Sequence, residues 1–115
     1  MPDSTLLLNL PEVDFQTRII DRAQALGWWI HHDRPARKKN DEWSTAISGD
    51  AGFPDLVLVR KGRVIFAELK TEKGRLSKTQ SGWLGALGIS DPDPGDVEVY
   101  LWRPSDTSRI EQILA

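Results

Sequence analysis

The chain has 115 residues, 39% hydrophobic and 28% charged, with a formal net charge of −2. That size carries one core, so residues 1–115 are expected to form a single domain of ordinary globular composition. It contains no cysteine, which excludes disulfides, thiolate metal sites and a cysteine nucleophile and permits an intracellular setting. Apolar runs are a few residues long, so neither a membrane span nor a signal-peptide core is expected.

Met1 to Leu10 ends in Leu-Leu-Leu-Asn-Leu and is either a frayed arm or a packing segment. Pro11 to Leu26 reads as the first helix, with Pro in its first turn and Gly27 as its stop. Phe15, Ile19, Ala23 and Leu26 fall on one stripe at helical spacing. Extended backward, the stripe carries Glu12 near its centre and leaves Asp14 on the opposite side. Glu12 is thus either a first-turn acid favoured by the helix dipole or a third carboxylate beside the pair described below.

Gly27 to His32 reads as a short strand. His31 and His32 are adjacent, so they point to opposite faces and do not both reach one metal; one packs or hydrogen-bonds and the other faces solvent, with a DNA contact by either left open. Asp33 to Gly52 is polar, includes Arg34-Pro-Ala-Arg37-Lys38-Lys39, and is expected to be a long basic loop with a short strand around Trp43 to Ile47.

Asp55 to Arg60 and Val64 to Lys70 are apolar runs of strand length around a Gly-containing turn. A hairpin folded about Lys61-Gly62 sets Arg60 opposite Arg63, Val59 opposite Val64, Val57 opposite Phe66, and Asp55 opposite Glu68. By alternation, Glu68 and Lys70 share a face, and Asp55 points to the same one. Directly opposed carboxylates repel each other. A divalent cation relieves that repulsion through oxygen ligands, and Lys70 adds positive charge where a phosphate or an attacking water sits. The alternative is two solvated strand-end acids, one neutralised by Lys70.

Thr71 to Leu76 is a basic turn. Ser77-Lys-Thr-Gln80 fits a capping box opening a second helix that runs to Leu87 and stops at Gly88. Trp83, Leu84 and Leu87 form its buried stripe, with Gln80 one turn upstream, either as capping partner or as a side chain aimed at the site. Asp91 to Asp96 is a turn segment. Val97 to Trp102 alternates as a strand, Arg103-Pro104 ends it, and Ser105 or Asp106 caps a last helix through Leu114. Helix, strand, hairpin, helix, strand, helix implies an α/β or α+β sandwich, a small mixed central sheet flanked by helices with strands buried on both faces.

Bulk charge conceals an asymmetry. Arg60 to Lys78 holds seven Lys/Arg against two Asp/Glu, and Gly88 to the end holds two against six. The basic stretch is expected to flank the carboxylates on both sides, as a polyanionic substrate requires.

Gly52-Phe-Pro-Asp55-Leu, then Phe66-Ala-Glu68-Leu-Lys70-Thr-Glu-Lys73-Gly-Arg75-Leu-Ser77, Gln80 and Trp83-Leu84 resemble a VRR-NUC domain, a branch of the PD-(D/E)XK nuclease superfamily. Glu12-x-x-Phe15-Gln16 and Trp102-Arg103-Pro104 extend the resemblance over nearly the whole chain. It implies a restriction-endonuclease-like core in which Asp55 and Glu68 bind metal, the Leu69 backbone carbonyl is a further ligand, and Glu12 completes the site. Lys70 matches the lysine that orients or activates the attacking water, and Gln80 matches the glutamine of the following helix. The implied activity is Mg²⁺- or Mn²⁺-dependent DNA cleavage. Minimal members of this size resemble Holliday junction resolvases acting as homodimers on branched DNA, in the cytoplasm of a bacterial or phage-infected cell. A flap-cutting or nicking nuclease, or a DNA-binding module that does not cut, are the alternatives. Arg37, Lys38, Lys39, Lys61, Arg63, Lys73, Arg75 and Lys78 are the expected phosphate contacts.

Overall fold

The computed structural model describes residues 10–32, 36–37, 43–44, 48–91 and 96–115, with the backbone alone at 36–37 and 43–44. Lys38, Lys39, the Arg37 side chain, the N-terminal arm and most of the basic loop lie outside the described residues. In chain order the elements are α1 (Glu12–Ala25), β1 (Trp29–His31), β2 (Ala36–Arg37), β3 (Trp43–Ser44), β4 (Leu56–Arg60), β5 (Arg63–Leu69), α2 (Lys78–Leu87), β6 (Val97–Trp102), a 3-10 turn (Pro104–Asp106) and α3 (Thr107–Leu114). None of the described helices is long and apolar enough to cross a membrane.

The fold is α+β. Its main sheet runs β1-β4-β5-β6, and β2 and β3 form a separate ribbon. β1, β4 and β5 are antiparallel, while β6 lies parallel to β5. A parallel pair cannot be joined by a tight turn, and α2 supplies the crossover.

The hairpin has the expected register: Arg60 pairs Arg63, Val59 pairs Val64, and Val57 pairs Phe66. Its turn residues both have positive φ, 49° at Lys61 and 82° at Gly62. That is the primed turn whose twist suits two strands joined by two residues. Lys61 holds the left-handed conformation without the freedom of a glycine, so the flanking ladder must impose it.

One face of the sheet is the core. Leu56, Leu58, Ile65, Ala67 and Leu69 are fully buried there against Phe15, Ile19 and Ala23 of α1 and Ile110 and Leu114 of α3. Truncating such a residue, Leu58→Ala for instance, costs about 2–5 kcal/mol.

The other face corrects the expectation of strands buried on both sides. Val57, Val64, Phe66, Val97 and Val99 are only partly covered there, and Trp29 is 81% exposed. The reason is that a single helix of 10 residues, α2, crosses this face. Its first turn reaches the end where Asp55 and Glu68 lie, through the Gln80–Glu68 hydrogen bond.

Candidate active site

The described strand pairing ends at Leu56 opposite Ala67. Continued one step, that register sets Asp55 opposite Glu68 in a position without ladder hydrogen bonds, where facing side chains come closest, and the two carboxyls are near enough to interact. Asp55 is half-buried and accepts a hydrogen bond from the Leu69 backbone N–H through Oδ2 at 2.8 Å. That bond turns its carboxylate back over the end of β5. Within a strand, the N–H and C=O of one residue project to the same side, so the Leu69 carbonyl opens on the Asp55 side as well.

Glu68 is the only buried charged residue among those described, at 1% exposure. Its Oε1 accepts from Gln80 Nε2 at 3.0 Å, while its Oε2 is buried with no hydrogen-bond partner. Burial above all pushes the Glu68 pKa up, to about 8. The Asp55 charge, a hydrogen bond between the two carboxyls and the more distant Glu12 add to the rise, and Lys70 opposes it. The carboxyl-to-carboxyl bond exists only when one of the pair carries a proton, so Oε2 is left unpartnered in the fully ionised state. An orphaned carboxylate oxygen beside a second carboxylate is a position a divalent cation fits, since it supplies both the missing partner and the missing charge.

Glu12 enters from the first turn of α1. Partial burial of its carboxyl, and then the Asp55 charge, raise its pKa, with Lys70 again opposing. It therefore sits within the field of the site, although its residue surface is exposed. No three acidic or histidine side chains among the described residues are drawn together as a ready-made metal cage. Asp55 and Glu68 form the close pair, and Glu12 stands outside it.

Gln80 does both things its place in the sequence allowed. Its backbone N–H is capped by Ser77 Oγ at 3.2 Å, and its own Oε1 accepts from Ser77 N at 2.9 Å, completing the capping box. The other end of the same carboxamide donates to Glu68. A cap of this kind stabilises by about 1 kcal/mol, and here it also fixes the rotamer that reaches the acid.

Gly52 and Phe53 support the site from the loop before Asp55, and Trp83, expected with Leu84 and Leu87 in the buried stripe of α2, is like Leu87 only half-buried and turns to that loop. Gly52 has φ +97°, and a Cβ placed on it would stand 2.4 Å from the Thr79 carbonyl carbon and 2.7 Å from Gln80 N. The Gly-Phe-Pro-Asp segment therefore packs backbone to backbone against the first turn of α2. Phe53 meets Phe66 and Trp83 edge-on, at ring separations of 6.0 and 5.1 Å. Trp83 Nε1 donates to the Asp50 carbonyl at 3.1 Å. The signal available in sequence was the glycine itself, three residues before the acid.

The basic residues divide. Lys73, Arg75 and Lys78 lie on the segment that leaves Lys70 and enters α2, on the site's side of the sheet's end. Lys61 and Arg63 are at the hairpin turn, the opposite end of β4 and β5. From Arg63 to Glu68 is five strand steps, about 17 Å at about 3.3 Å per residue. Arg63 is also engaged: it forms a double hydrogen bond to Glu98 at 2.8 Å, which holds the guanidinium pKa up, and it lies 5.1 Å from the Trp28 ring centroid. The expectation that basic residues flank the carboxylates on both sides is corrected accordingly. A hairpin separates its turn from its open end, whatever the spacing along the chain.

Comparison with known families gives one match, a family model described as the VRR-NUC domain, over residues 8–101. No curated protein and no solved structure matches the chain.

Proposed function

Because the chain belongs to the VRR-NUC family of PD-(D/E)XK-type nucleases, we propose that it is a Mg²⁺- or Mn²⁺-dependent endonuclease that hydrolyses DNA phosphodiesters at the Asp55–Glu68 pair. The observation that carries this reading is the unpartnered, buried Oε2 of Glu68 beside Asp55. Structural carboxylates are normally satisfied when buried, and this one is held in place by Gln80 with one oxygen left over.

Asp55, Glu68 and the Leu69 carbonyl would hold the cation, with Glu12 completing the set. When bound, it lowers the pKa of a water and stabilises charge on the scissile phosphate and the leaving oxygen. The remaining work belongs to the chain. Gln80 locks one Glu68 oxygen so that the other faces the pair. Leu69 N–H anchors Asp55. Lys70 follows Glu68 by two on the same face and orients the attacking water toward the phosphate. Lys73, Arg75 and Lys78 hold flanking phosphates; these contacts position DNA without reading its sequence.

We extend the proposal to branched DNA, with four-way junctions as the preferred substrate and a homodimer as the acting form. The chain shows no base-reading motif, which favours recognition of shape. One small site cuts one strand, and a two-fold dimer cuts two symmetrically. We further propose that the 115 residues act as one nuclease domain in the cytoplasm of a bacterial or phage-infected cell, as the resemblance to minimal Holliday junction resolvases implies. Cleavage of matched four-way junctions, flaps, nicked and plain duplexes tests the preference. Paired symmetric cuts in junctions are expected. Equal cutting of all four substrates makes it an unselective nuclease, and binding without cutting makes it a DNA-binding module.

A further inference from the structure

After Leu69 the chain leaves the sheet and must turn toward α2, and that turn is tied to the end of β6 by an unusual set of bonds. Arg103 Nη1 donates to the carbonyls of Thr71 at 2.7 Å, Glu72 at 3.2 Å and Gly74 at 2.7 Å. In return, Glu72 Oε2 accepts from Ser105 N at 3.0 Å. Lys70 N donates to the Trp102 carbonyl at 3.1 Å, and Asp106 Oδ2 fixes Arg103 N at 2.9 Å. Three carbonyls pointing inward repel one another and need a common donor. A partly buried guanidinium provides it, and charge-assisted bonds are the strong ones.

The turn also touches the site. Gly74 has no side chain where one would stand 2.8 Å from Thr71 Oγ1 and 3.5 Å from Lys70 Cδ. The Lys70 stem therefore runs along the turn that Arg103 holds closed. The same turn leads to Ser77, whose capping box orients Gln80 onto Glu68.

We infer that Arg103 is a positioning residue for the reaction at Asp55 and Glu68, acting through the Thr71–Gly74 turn on the Lys70 ammonium. This rests on the nuclease reading above. It predicts a loss in turnover rather than in DNA binding, because a displaced Lys70 misplaces the water and not the duplex; small misplacements of this kind cost up to about 100-fold.

The test is a cycle of wild type, Lys70→Ala, Arg103→Met and the double variant, with kcat and KM measured on one DNA substrate well below each variant's melting temperature. Arg103→Met is expected to lower kcat by about 30-fold with KM within about twofold. In the Lys70→Ala background the same substitution is expected to cost less than about threefold, because residues acting as a unit are not additive. Arg103→Lys returns a cation to the three carbonyls and is expected to recover kcat to within about threefold of wild type. Full additivity in the cycle, or no recovery with lysine, overturns the inference. If Arg103→Met does not fold, the cycle is closed with Arg103→Gln; if neither folds, the arginine is purely structural and the inference fails. A wild-type protein that cuts no DNA removes the nuclease reading itself, an outcome distinct from an active enzyme with an additive cycle.

Discussion

Gln80 and Glu68 are joined by a hydrogen bond of 3.0 Å that couples the start of α2 to the most buried acid among the described residues. Because the same carboxamide closes the capping box with Ser77, helix stability and site geometry depend on one side chain. Gln80→Ala is expected to cost about 1 kcal/mol of stability, lowering the melting temperature by about 4 °C for a domain of this size. It also removes the partner of Glu68 Oε1, so that neither carboxylate oxygen is held, and cleavage is expected to fall by about tenfold or more. Thermal melts and rates on one DNA substrate check the two effects together.

Glu68 makes stability depend on pH. Its folded pKa is raised to about 8, above the ordinary carboxylate range that applies when the chain unfolds. The native state therefore holds a proton that the unfolded state has released. Stability is fully present below about pH 4.5 as far as this group is concerned, and is lost as pH rises toward 8. The total is at most a few kcal/mol. In chelator-treated protein, chemical melts between pH 5 and 8.5 should show this decline, and Glu68→Gln should remove it and melt higher at pH 8.5. A Glu68→Gln protein with the same downward slope contradicts the assignment.

The same proton opposes metal binding, since a bound carboxylate must be ionised. Mn²⁺ affinity is expected to rise with pH up to about 8 and to be accompanied by proton release. Calorimetry in two buffers of different ionisation enthalpy measures that release directly. No buffer dependence at pH 7 means that Glu68 is not a ligand.

Gly52→Ala tests how α2 is seated. The added Cβ meets backbone at 2.4–2.7 Å, and φ is +97°, so neither rotamer change nor side-chain motion relieves it. About 2–3 kcal/mol of destabilisation is expected, with a disproportionate loss of cleavage because Gln80 moves with the turn. Comparing the variant with Gly82→Ala, whose Cβ meets nothing within 4 Å, separates seating from any general effect of alanine on the helix.

How far the site could be read from sequence followed from which relationships are local. The nearness of Asp55 and Glu68 was legible because Lys61-Gly62 sets a two-residue turn, the pairs from Arg60–Arg63 out to Leu56–Ala67 follow from it, and the two acids come next beyond them. The double role of Gln80 was not, since its position favours the cap, the site contact is implied by the family resemblance alone, and only the tertiary placement of α2 shows both. Arg103 was opaque for a stronger reason: its partners are backbone carbonyls 29–32 residues away, which carry no sequence signature. The placing of Lys61 and Arg63 beside the acids failed because charge was counted along the chain while the hairpin carries its turn to the far end. The half-open second face was missed because Val57, Val64 and Val99 have the same pattern in a sheet covered on one side or on both.

That division of charges is itself testable by salt dependence. Replacing Lys73, Arg75 and Lys78 with alanine together should reduce the slope of log affinity against log salt by about 2–3, as expected for lost phosphate contacts. Arg63→Met should leave the slope unchanged and lower the melting temperature, because its partners are Glu98 and Trp28.

The central claim is that Asp55 and Glu68 together form a metal-dependent site that cuts DNA. The most direct measurement is cleavage of a four-way junction with Mg²⁺ or Mn²⁺ by wild type and by Asp55→Asn, which keeps the size of the side chain and removes its charge. The account predicts cutting by wild type that chelator abolishes, and loss of about 100-fold or more in Asp55→Asn with the fold intact. Metal-dependent cutting at the wild-type rate by Asp55→Asn would contradict it.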